Sequence, residues 1–147
     1  MSTTTQPGTG TMQLAPYVFF YGRCEEALEF YKKALGGSYE LQRNSEMPPS
    51  PDFTIPEDRK NKVMHATFTA PGLSFMASDG RDDKKIDPDA GNISLSLGFN
   101  DVDQAQTVFA ALSDGGDVKM PLSPAFWGGQ FGMLVDRFGN EWMVVSP

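Results

Sequence analysis

The sequence is poor in the side chains that most often hold metals and disulfides. Among 147 residues it has one cysteine, Cys24, and one histidine, His65. A single cysteine cannot form an intramolecular disulfide and leaves no framework of cysteine ligands for zinc. This cysteine usage is typical of a reducing compartment, so we expect a cytoplasmic protein.

Long apolar runs are also absent. No stretch approaches the 18 or so consecutive apolar residues that a membrane-spanning helix needs. Residues 1–13 have neither the basic nor the apolar segment of a secretory signal, and we expect them to form a flexible tail. A membrane is therefore not an expected partner.

Positive charge is scarce, with 12 Lys and Arg against 19 Asp and Glu and a formal net charge of −7. A surface of this sign repels polyphosphates, so nucleic acid is not an expected partner. The Gly-x-Ser-x-Gly elbow of serine hydrolases is missing, and so is the phosphate-binding Gly-x-x-x-x-Gly-Lys-Ser/Thr motif. The length fits one domain, which we expect to span residues 14–147.

The first half of this domain predicts a strand, a helix and three further strands. Apolar residues at three- and four-residue spacing predict a helix that starts near Glu25 and ends before Gly36-Gly37. A loop with four prolines, Glu46 to Pro56, interrupts the strands. The predicted strands run from Leu14 to Tyr21, Ser38 to Arg43, Val63 to Thr69 and Leu73 to Ala77.

The second half repeats this order. Its helix is predicted from Val102 to Leu112, and its strands from Ile93 to Phe99, Val118 to Leu122, Gly132 to Val135 and Glu141 to Val145. The residues repeat as well, because Ala27-x-x-x-Tyr31 before Gly36-Gly37 matches Ala105-x-x-x-Phe109 before Gly115-Gly116. The sequence predicts module one at 14–78, a charged connection at 79–91 and module two at 92–147.

A βαβββ module covers one face of its sheet with its helix and leaves the other face bare. Two such modules can curl together and enclose a cavity between the bare faces, which is a natural place for a ligand. We therefore expect an α+β fold of two tandem βαβββ modules around a shared cavity.

Several segments resemble one family across almost the whole chain after residue 15. They are Pro16-Tyr17-x-x-Phe20-x-Gly22-x-Cys24-x-x-Ala27-x-x-x-Tyr31, Glu46-Met47-Pro48, His65-Ala66, Met76-x-Ser78-Asp79, Phe126-Trp127-Gly128 and Asp136-x-Phe138-Gly139-x-x-Trp142-Met143. In these segments the chain resembles the PhnB-like proteins of the vicinal-oxygen-chelate superfamily, which also contains glyoxalases, bleomycin-resistance proteins and dioxygenases. The resemblance implies the tandem βαβββ fold and, because dimers are common in this superfamily, a homodimer.

The resemblance leaves the reaction open, since one fold carries lyases, dioxygenases, epimerases, thiol transferases and drug-binding proteins. PhnB-like proteins are often labelled 3-demethylubiquinone methyltransferases. The sequence has nothing like the glycine-rich strand-to-helix turn of a Rossmann-type methyltransferase, so we give that label little weight. It also shows no converging cluster of Lys and Arg that would bind a phosphonate.

The resemblance implies four metal-ligand positions, which in this chain fall at Pro16 or Tyr17, Met76, Asn92 and Met143. None of these side chains is a good ligand for a hard or borderline divalent ion. We therefore expect no metal cofactor. The alternative is a divalent metal near His65, with Glu46, Glu141 or Asp79 as further ligands.

The predicted site consists of polar and aromatic residues that the pattern places on strands or in covering loops. His65 is the candidate catalytic residue, since a neutral imidazole can act as a base near pH 7, although a histidine that only hydrogen-bonds within the sheet has the same pattern. The aromatic and glycine-rich segment from Phe126 to Gly132 predicts a cavity wall or, alternatively, a plug at one end of the barrel. The predicted ligand-binding residues are Tyr17, Phe19, Glu46, His65, Met76, Asn92, Phe126, Trp127, Phe131 and Met143.

Three functions are compatible with this sequence. The favoured one is a metal-free protein that binds a small, partly apolar molecule in its cavity. The second is an enzyme, either a metal-dependent lyase or dioxygenase or an isomerase that uses His65 as base. The third is a dimeric interaction module without a ligand.

Overall fold

The computed structural model describes residues 12–48, 51, 54–80 and 91–147. The predicted tail up to residue 11 and most of the predicted connection, residues 81–90, lie outside the described residues, as do four residues of the proline-rich loop.

Module one has the predicted order of elements. The strands are β1 (Tyr17–Phe19), β2 (Ser38–Arg43), β3 (Val63–Ala70) and β4 (Leu73–Ser78), and the helix is α1 (Cys24–Leu35). They form a four-stranded sheet in the order β1-β4-β3-β2, in which β1 runs parallel to β4 and the other neighbours are antiparallel. Two single turns of 3-10 helix, at Asn44–Glu46 and Glu57–Arg59, lie between β2 and β3.

Module two repeats this topology. The strands are β5 (Leu95–Gly98), β6 (Asp117–Pro124), β7 (Gln130–Val135) and β8 (Glu141–Ser146), and the helix is α2 (Val102–Ser113). The sheet order β5-β8-β7-β6, with β5 parallel to β8, matches that of module one strand for strand. The prediction of an α+β fold with two βαβββ modules is confirmed.

The first strand of each module is shorter than the sequence predicts. β1 has three residues because Pro16, which has no N–H, contributes only its carbonyl to the pairing with Met76 N (2.9 Å). At the other end, the chain turns away through Tyr21 and Gly22, which both have positive φ. β5 begins at Leu95 and not at Ile93.

Each helix begins and ends where the local chemistry favours it. Glu25 and Glu26 lie in the first turn of α1 and Lys32 and Lys33 in its last, which complements the helix dipole. The Asp101 side chain caps α2 by accepting a hydrogen bond from Asp103 N (3.1 Å). The two helices have 12 residues each, and none in the described part of the chain is long and apolar enough to cross a bilayer.

The two modules share one hydrophobic core. The Tyr31 ring on α1 lies 5.9 Å from the Phe75 ring of β4 and 5.7 Å from the Trp142 ring of β8, so one side chain contacts both sheets. The two helices also contact each other. The helix-covered faces of both sheets therefore face this common core, and the opposite faces, which we call the first and second bare faces, are turned away from it. Among the described residues, the bare faces of one chain thus do not enclose the shared cavity that the sequence predicts, because the core packing brings the covered faces together instead.

Candidate functional site

The first bare face belongs to module one, and cross-strand pairs set its layout. Tyr17 lies opposite Met76, Met76 opposite Thr67, and Thr67 opposite Glu40. In the adjacent row, Phe19 lies opposite Ser78 and His65 opposite Gln42. Residues directly opposite in a sheet share a face, so the predicted site residues of β1, β3 and β4 come together here.

Aromatic rings on this face are in contact and open to solvent. The Tyr17 ring lies 5.1 Å from the Phe19 ring and 5.9 Å from the His65 ring, measured between centroids. Tyr17 is 40% exposed and Phe19 is 46% exposed, whereas His65 is half-buried. This arrangement offers a ligand two aromatic surfaces beside one imidazole.

The carboxylates proposed as metal partners of His65 have other contacts. Asp79 is buried and accepts hydrogen bonds from the backbone amides of Gly22 (3.1 Å), Cys24 (2.8 Å) and Val63 (2.7 Å). Glu46 accepts one from the backbone N–H of Arg43 at 2.7 Å, within the 3-10 turn. Glu141 accepts one from the Ser94 hydroxyl.

No group of three His, Cys, Asp or Glu side chains that could hold a metal ion occurs within the described ranges. A catalytic role for His65, with or without a metal, therefore stays a prediction.

The second bare face belongs to module two and carries a row of three methionines. Met120 on β6 lies opposite Met133 on β7, and Met133 lies opposite Met143 on β8, which pairs with Ser96 on β5. The neighbours of Met143 and Met133 along the chain, Trp142 and Leu134, point into the core. We call Met120, Met133 and Met143 the methionine row.

Aromatic residues extend this face. Phe131 lies opposite Val145 in the row next to the methionines, and the Trp127 ring lies 5.5 Å from the Phe131 ring. Trp127 and Phe126 occupy the tip of the β6-β7 turn, which Ala125 and Gly129 close through a backbone hydrogen bond of 2.8 Å. Phe126 is 98% exposed and Trp127 is 61% exposed. This turn protrudes as an apolar tip.

Two predicted site residues lie away from these faces. Asn92 precedes β5 and is exposed, so its predicted position on the first strand of module two is wrong. Because Met143 and Met76 occupy equivalent positions, the residue equivalent to Tyr17 is Ser96. Glu46 is exposed in the 3-10 turn that follows β2.

Met120 and Met133 were not among the predicted site residues. The position of Met133 on the same face as Phe131 could have been predicted, because in a strand Phe131, Met133 and Val135 alternate with Gly132 and Leu134. Met120 follows an irregularity in the β6 register, which a simple alternation does not reveal.

Two further grooves lie between the modules. One, of about 440 Å³, is lined by α1, α2 and Arg137. The other, of about 520 Å³, lies between the starts of β4 and β5 and is lined by apolar residues including Phe75, Leu95 and Trp142. None of the predicted site residues lines either groove.

A buried polar cluster joins the two modules beneath these surfaces. Asp136 accepts hydrogen bonds from the Tyr31 hydroxyl of module one, from Trp142 Nε1 (2.8 Å) and from two backbone amides of its own turn. Burial and the adjacent Asp136 charge raise the pKa of Tyr31, so its hydroxyl remains a proton donor. The cluster lies on the core side, which indicates a structural role for Asp136.

Comparison with known proteins identifies solved structures with the same fold. The protein PA1353 from Pseudomonas aeruginosa is 37% identical, with a TM-score of 0.78 over 92% of this chain and 98% of that one. A PhnB protein from Bacillus cereus is 26% identical, with a TM-score of 0.71 over 92% of this chain and all of that one. A glyoxalase/bleomycin resistance/dioxygenase superfamily member from Sphaerobacter thermophilus, 21% identical with a TM-score of 0.55 over 92% and 98% of the two chains, shares the fold.

A family model described as 3-demethylubiquinone-9 3-methyltransferase matches residues 12–145. That description names a reaction, whereas the two mixed sheets seen here differ from the parallel, doubly wound sheet of Rossmann-type methyltransferases. Membership therefore establishes ancestry and fold without assigning the reaction. By sequence and by structure, the chain belongs to this PhnB-like family of the vicinal-oxygen-chelate superfamily.

Proposed function

We propose that the protein binds a small, partly apolar molecule between a first and a second bare face. One observation carries the proposal: large apolar side chains remain exposed on these faces and on the adjacent tip, namely Tyr17, Phe19, Met120, Phe126 and Trp127. A contiguous exposed apolar patch on a folded domain marks a surface that binds something. Here one such patch, Tyr17 with Phe19, lies on the first bare face, and another lies on the second bare face and its tip, with Met120, Phe126 and Trp127.

In this proposal the two faces that enclose the ligand come from two copies of the chain. The helix-covered faces meet within one copy, and the bare faces are turned away from that contact. A second copy placed by a twofold axis covers both bare faces and forms two equivalent sites. This supports the homodimer that the family resemblance implies.

The site residues take different roles under this proposal. Tyr17, Phe19 and Met76 supply one apolar wall, and His65 supplies a polar contact to the ligand. Phe126, Trp127, Phe131 and the methionine row supply the opposite wall. Asn92 and Glu46 are left out because they lie off both faces.

The methionine methyl groups provide a direct test. The chain has eight methionines, and labelling their terminal methyl carbons with ¹³C gives one NMR signal for each. We expect hits from a fragment library to shift the signals of Met76, Met133 and Met143 and to leave that of the exposed Met12 unchanged. Hits that shift only methionines off the bare faces, or a library without hits, would contradict the proposal.

A matched pair of variants serves as the control. Met133→Arg places a charge in the middle of the methionine row and should abolish binding of the hits. Met12→Arg adds the same charge at a site that is 96% exposed and should leave binding unchanged. Equal affinities of the two variants would show that the fragments bind elsewhere.

A further inference from the structure

The second bare face also indicates which class of ligand the site prefers. We infer that the ligand is a planar aromatic molecule, neutral or cationic, and that phosphonates and carboxylates are disfavoured. This inference rests on the proposed binding site and goes beyond it in naming the ligand's shape and charge. Two independent observations carry it, the methionine row and the distribution of charge over the strands.

The methionine row forms a polarisable strip. Three thioether side chains lie on neighbouring strands, and strand spacing makes the row roughly 10 Å long. Thioethers make favourable contacts with aromatic rings, and the unbranched side chain adapts to the shape of what it contacts. Phe131 and Trp127 continue the strip at its side. A fused ring system can lie along such a strip and contact every thioether.

The charges on the strands favour neutral or cationic ligands. The eight described strands contain only two Lys or Arg residues, and both are paired: Arg43 with Glu25 of α1 (2.9 Å) and Lys119 with Asp117 (3.1 Å). Glu40 lies on the first bare face and Glu141 on β8, two residues from Met143. An anionic ligand would meet these carboxylates without the converging cations that phosphonate and carboxylate sites use.

Four probes with one ring skeleton separate shape from charge. They are 2-(hydroxymethyl)naphthalene, 2-(aminomethyl)naphthalene, 2-naphthoate and the saturated 2-(hydroxymethyl)decahydronaphthalene. Dissociation constants come from titrations that follow the Met133 and Met143 methyl signals. We expect the neutral naphthalene to bind at least threefold more tightly than its saturated analogue, and the amine at least tenfold more tightly than the carboxylate.

A double variant tests the cause of the shape preference. Met133→Leu with Met143→Leu keeps apolar volume and removes two sulfur atoms, so folding should be preserved. The preference for the planar probe over the saturated one should fall at least threefold, while Met47→Leu, in the turn after β2, should not change it. In this variant the Phe131 signals replace the lost methionine signals as the readout.

The outcomes separate the inference from the proposed function. If the saturated probe or the carboxylate binds as tightly as its counterpart at these methyl groups, the inference is wrong and the binding site stands. If the double variant keeps the full preference for the planar probe, the thioethers do not select it and the inference is wrong. If none of the four probes shifts the methionine signals while hits from the fragment library do, the inference is wrong and the binding site stands. If neither the probes nor the library shift them, both the inference and the proposed function fail.

Discussion

At the scale of single residues, two buried aspartates organise the regions where elements meet. Asp79 binds three backbone amides and thereby fixes the start of α1 against β3. Asp136 accepts hydrogen bonds from both modules. A buried carboxylate is costly unless every oxygen finds donors, and in both residues each oxygen has at least one.

Asp136→Asn should destabilise the fold strongly. The amide keeps one oxygen, and its NH₂ group would face either the Trp142 N–H or the two backbone amides, which are donors like itself. We expect a loss of about 3 kcal/mol in the free energy of unfolding, measured by urea denaturation.

Asp114→Asn is the matched control for this change. Its carboxylate pairs with Arg137 (3.1 Å), but the side chain is 78% exposed, and exposed ion pairs contribute at most about 1 kcal/mol. Similar losses in the two variants would show that the buried cluster contributes no more than a surface ion pair.

Cys24 should be unreactive in the folded protein. It is fully buried, and burial, with the nearby Asp79 and Glu25 charges, raises the pKa of its thiol far above the ordinary value of 9.0. The thiolate that reacts with disulfide reagents is therefore scarce in the folded state. We expect modification by an aromatic disulfide at pH 8 only after addition of denaturant. Rapid labelling of the native protein would contradict this expectation.

The same shift in pKa predicts a dependence of stability on pH. Above pH 9 the unfolded chain loses the Cys24 proton while the folded chain keeps it, so the folded state is disfavoured as pH rises. The contribution of the protonated Cys24 thiol to the free energy of unfolding is fully present below pH 9. Above pH 9 the free energy of unfolding falls by up to about 1.4 kcal/mol per pH unit through this group. Comparison of urea unfolding at pH 8 and pH 10 should show a smaller decrease in Cys24→Ala than in the parent. Equal decreases would show that other groups dominate.

The sequence identified Asp136 and His65 as residues with a role but did not reveal which residues they contact. A turn role for Asp136 follows from Asp136-Arg137-Phe138-Gly139, and the amides of Phe138 and Asn140 confirm it. Its contact with Tyr31, 105 residues away, has no local signature. His65 was found as the one histidine, yet no pattern of spacing reveals that its ring lies beside Tyr17.

At the scale of elements, the internal repeat in the sequence predicted most of the fold. Both helices and the hairpin strands lie within a few residues of their predicted bounds, because their apolar spacing is regular. The error at Asn92 arose because the first strands are short and pair in parallel, so their register depends on β4 and β8 and not on their own sequence. The glycine pairs that follow α1 and α2 have a role that only the structure shows.

Gly37 and Gly116, the second glycine of each pair, lie against the facing strand. A methyl group on Gly37 would overlap the Thr69 carbonyl oxygen, and one on Gly116 would overlap that of Val135. Gly37→Ala should therefore cost at least about 2 kcal/mol more than Gly36→Ala, as measured by thermal or urea unfolding.

Gly36→Ala is a close control because Gly36 also has a positive φ, 76° against 93°, but no neighbouring atom lies within 4 Å of the place that a methyl group would take. Its cost should be that of the backbone conformation alone, about 1 to 3 kcal/mol, because φ 76° with ψ −175° is a conformation that few residues other than glycine adopt. Equal losses in the two variants would mean that the close approach of α1 to β3 is relieved by a small backbone shift.

At the scale of the whole molecule, the hydrophobic pattern shows which faces are buried but not what buries them. The sequence predicts one helix-covered and one bare face on each sheet, and the structure has both. That the covered faces meet in one core depends on long-range contacts such as those of Tyr31 with Phe75 and Trp142. In the proposed function, a second copy of the chain closes the bare faces, because the covered faces pack against each other within one copy.

The apolar tip of Phe126 and Trp127 allows a quantitative test of the proposed dimer. Phe126 and Trp127 have the highest fractional exposures of the aromatic side chains in the described residues, 98% and 61%. Aromatic residues buried in interfaces typically contribute about 2 kcal/mol or more to association. If the tip is covered by the second copy, Phe126→Ser with Trp127→Ser should weaken dimerisation at least about 30-fold. Sedimentation equilibrium over a range of protein concentrations measures this change.

The control must remove comparable exposed apolar groups from a place that the second copy does not cover. Met12 and Leu14 are 96% and 100% exposed and precede β1, so Met12→Ser with Leu14→Ser should leave the dimerisation constant unchanged. A parent protein that sediments as a monomer, or a tip variant that dimerises as well as the parent, would remove the second copy from the proposed site. The ligand would then have to bind an open face, and Met133→Arg would still abolish its binding.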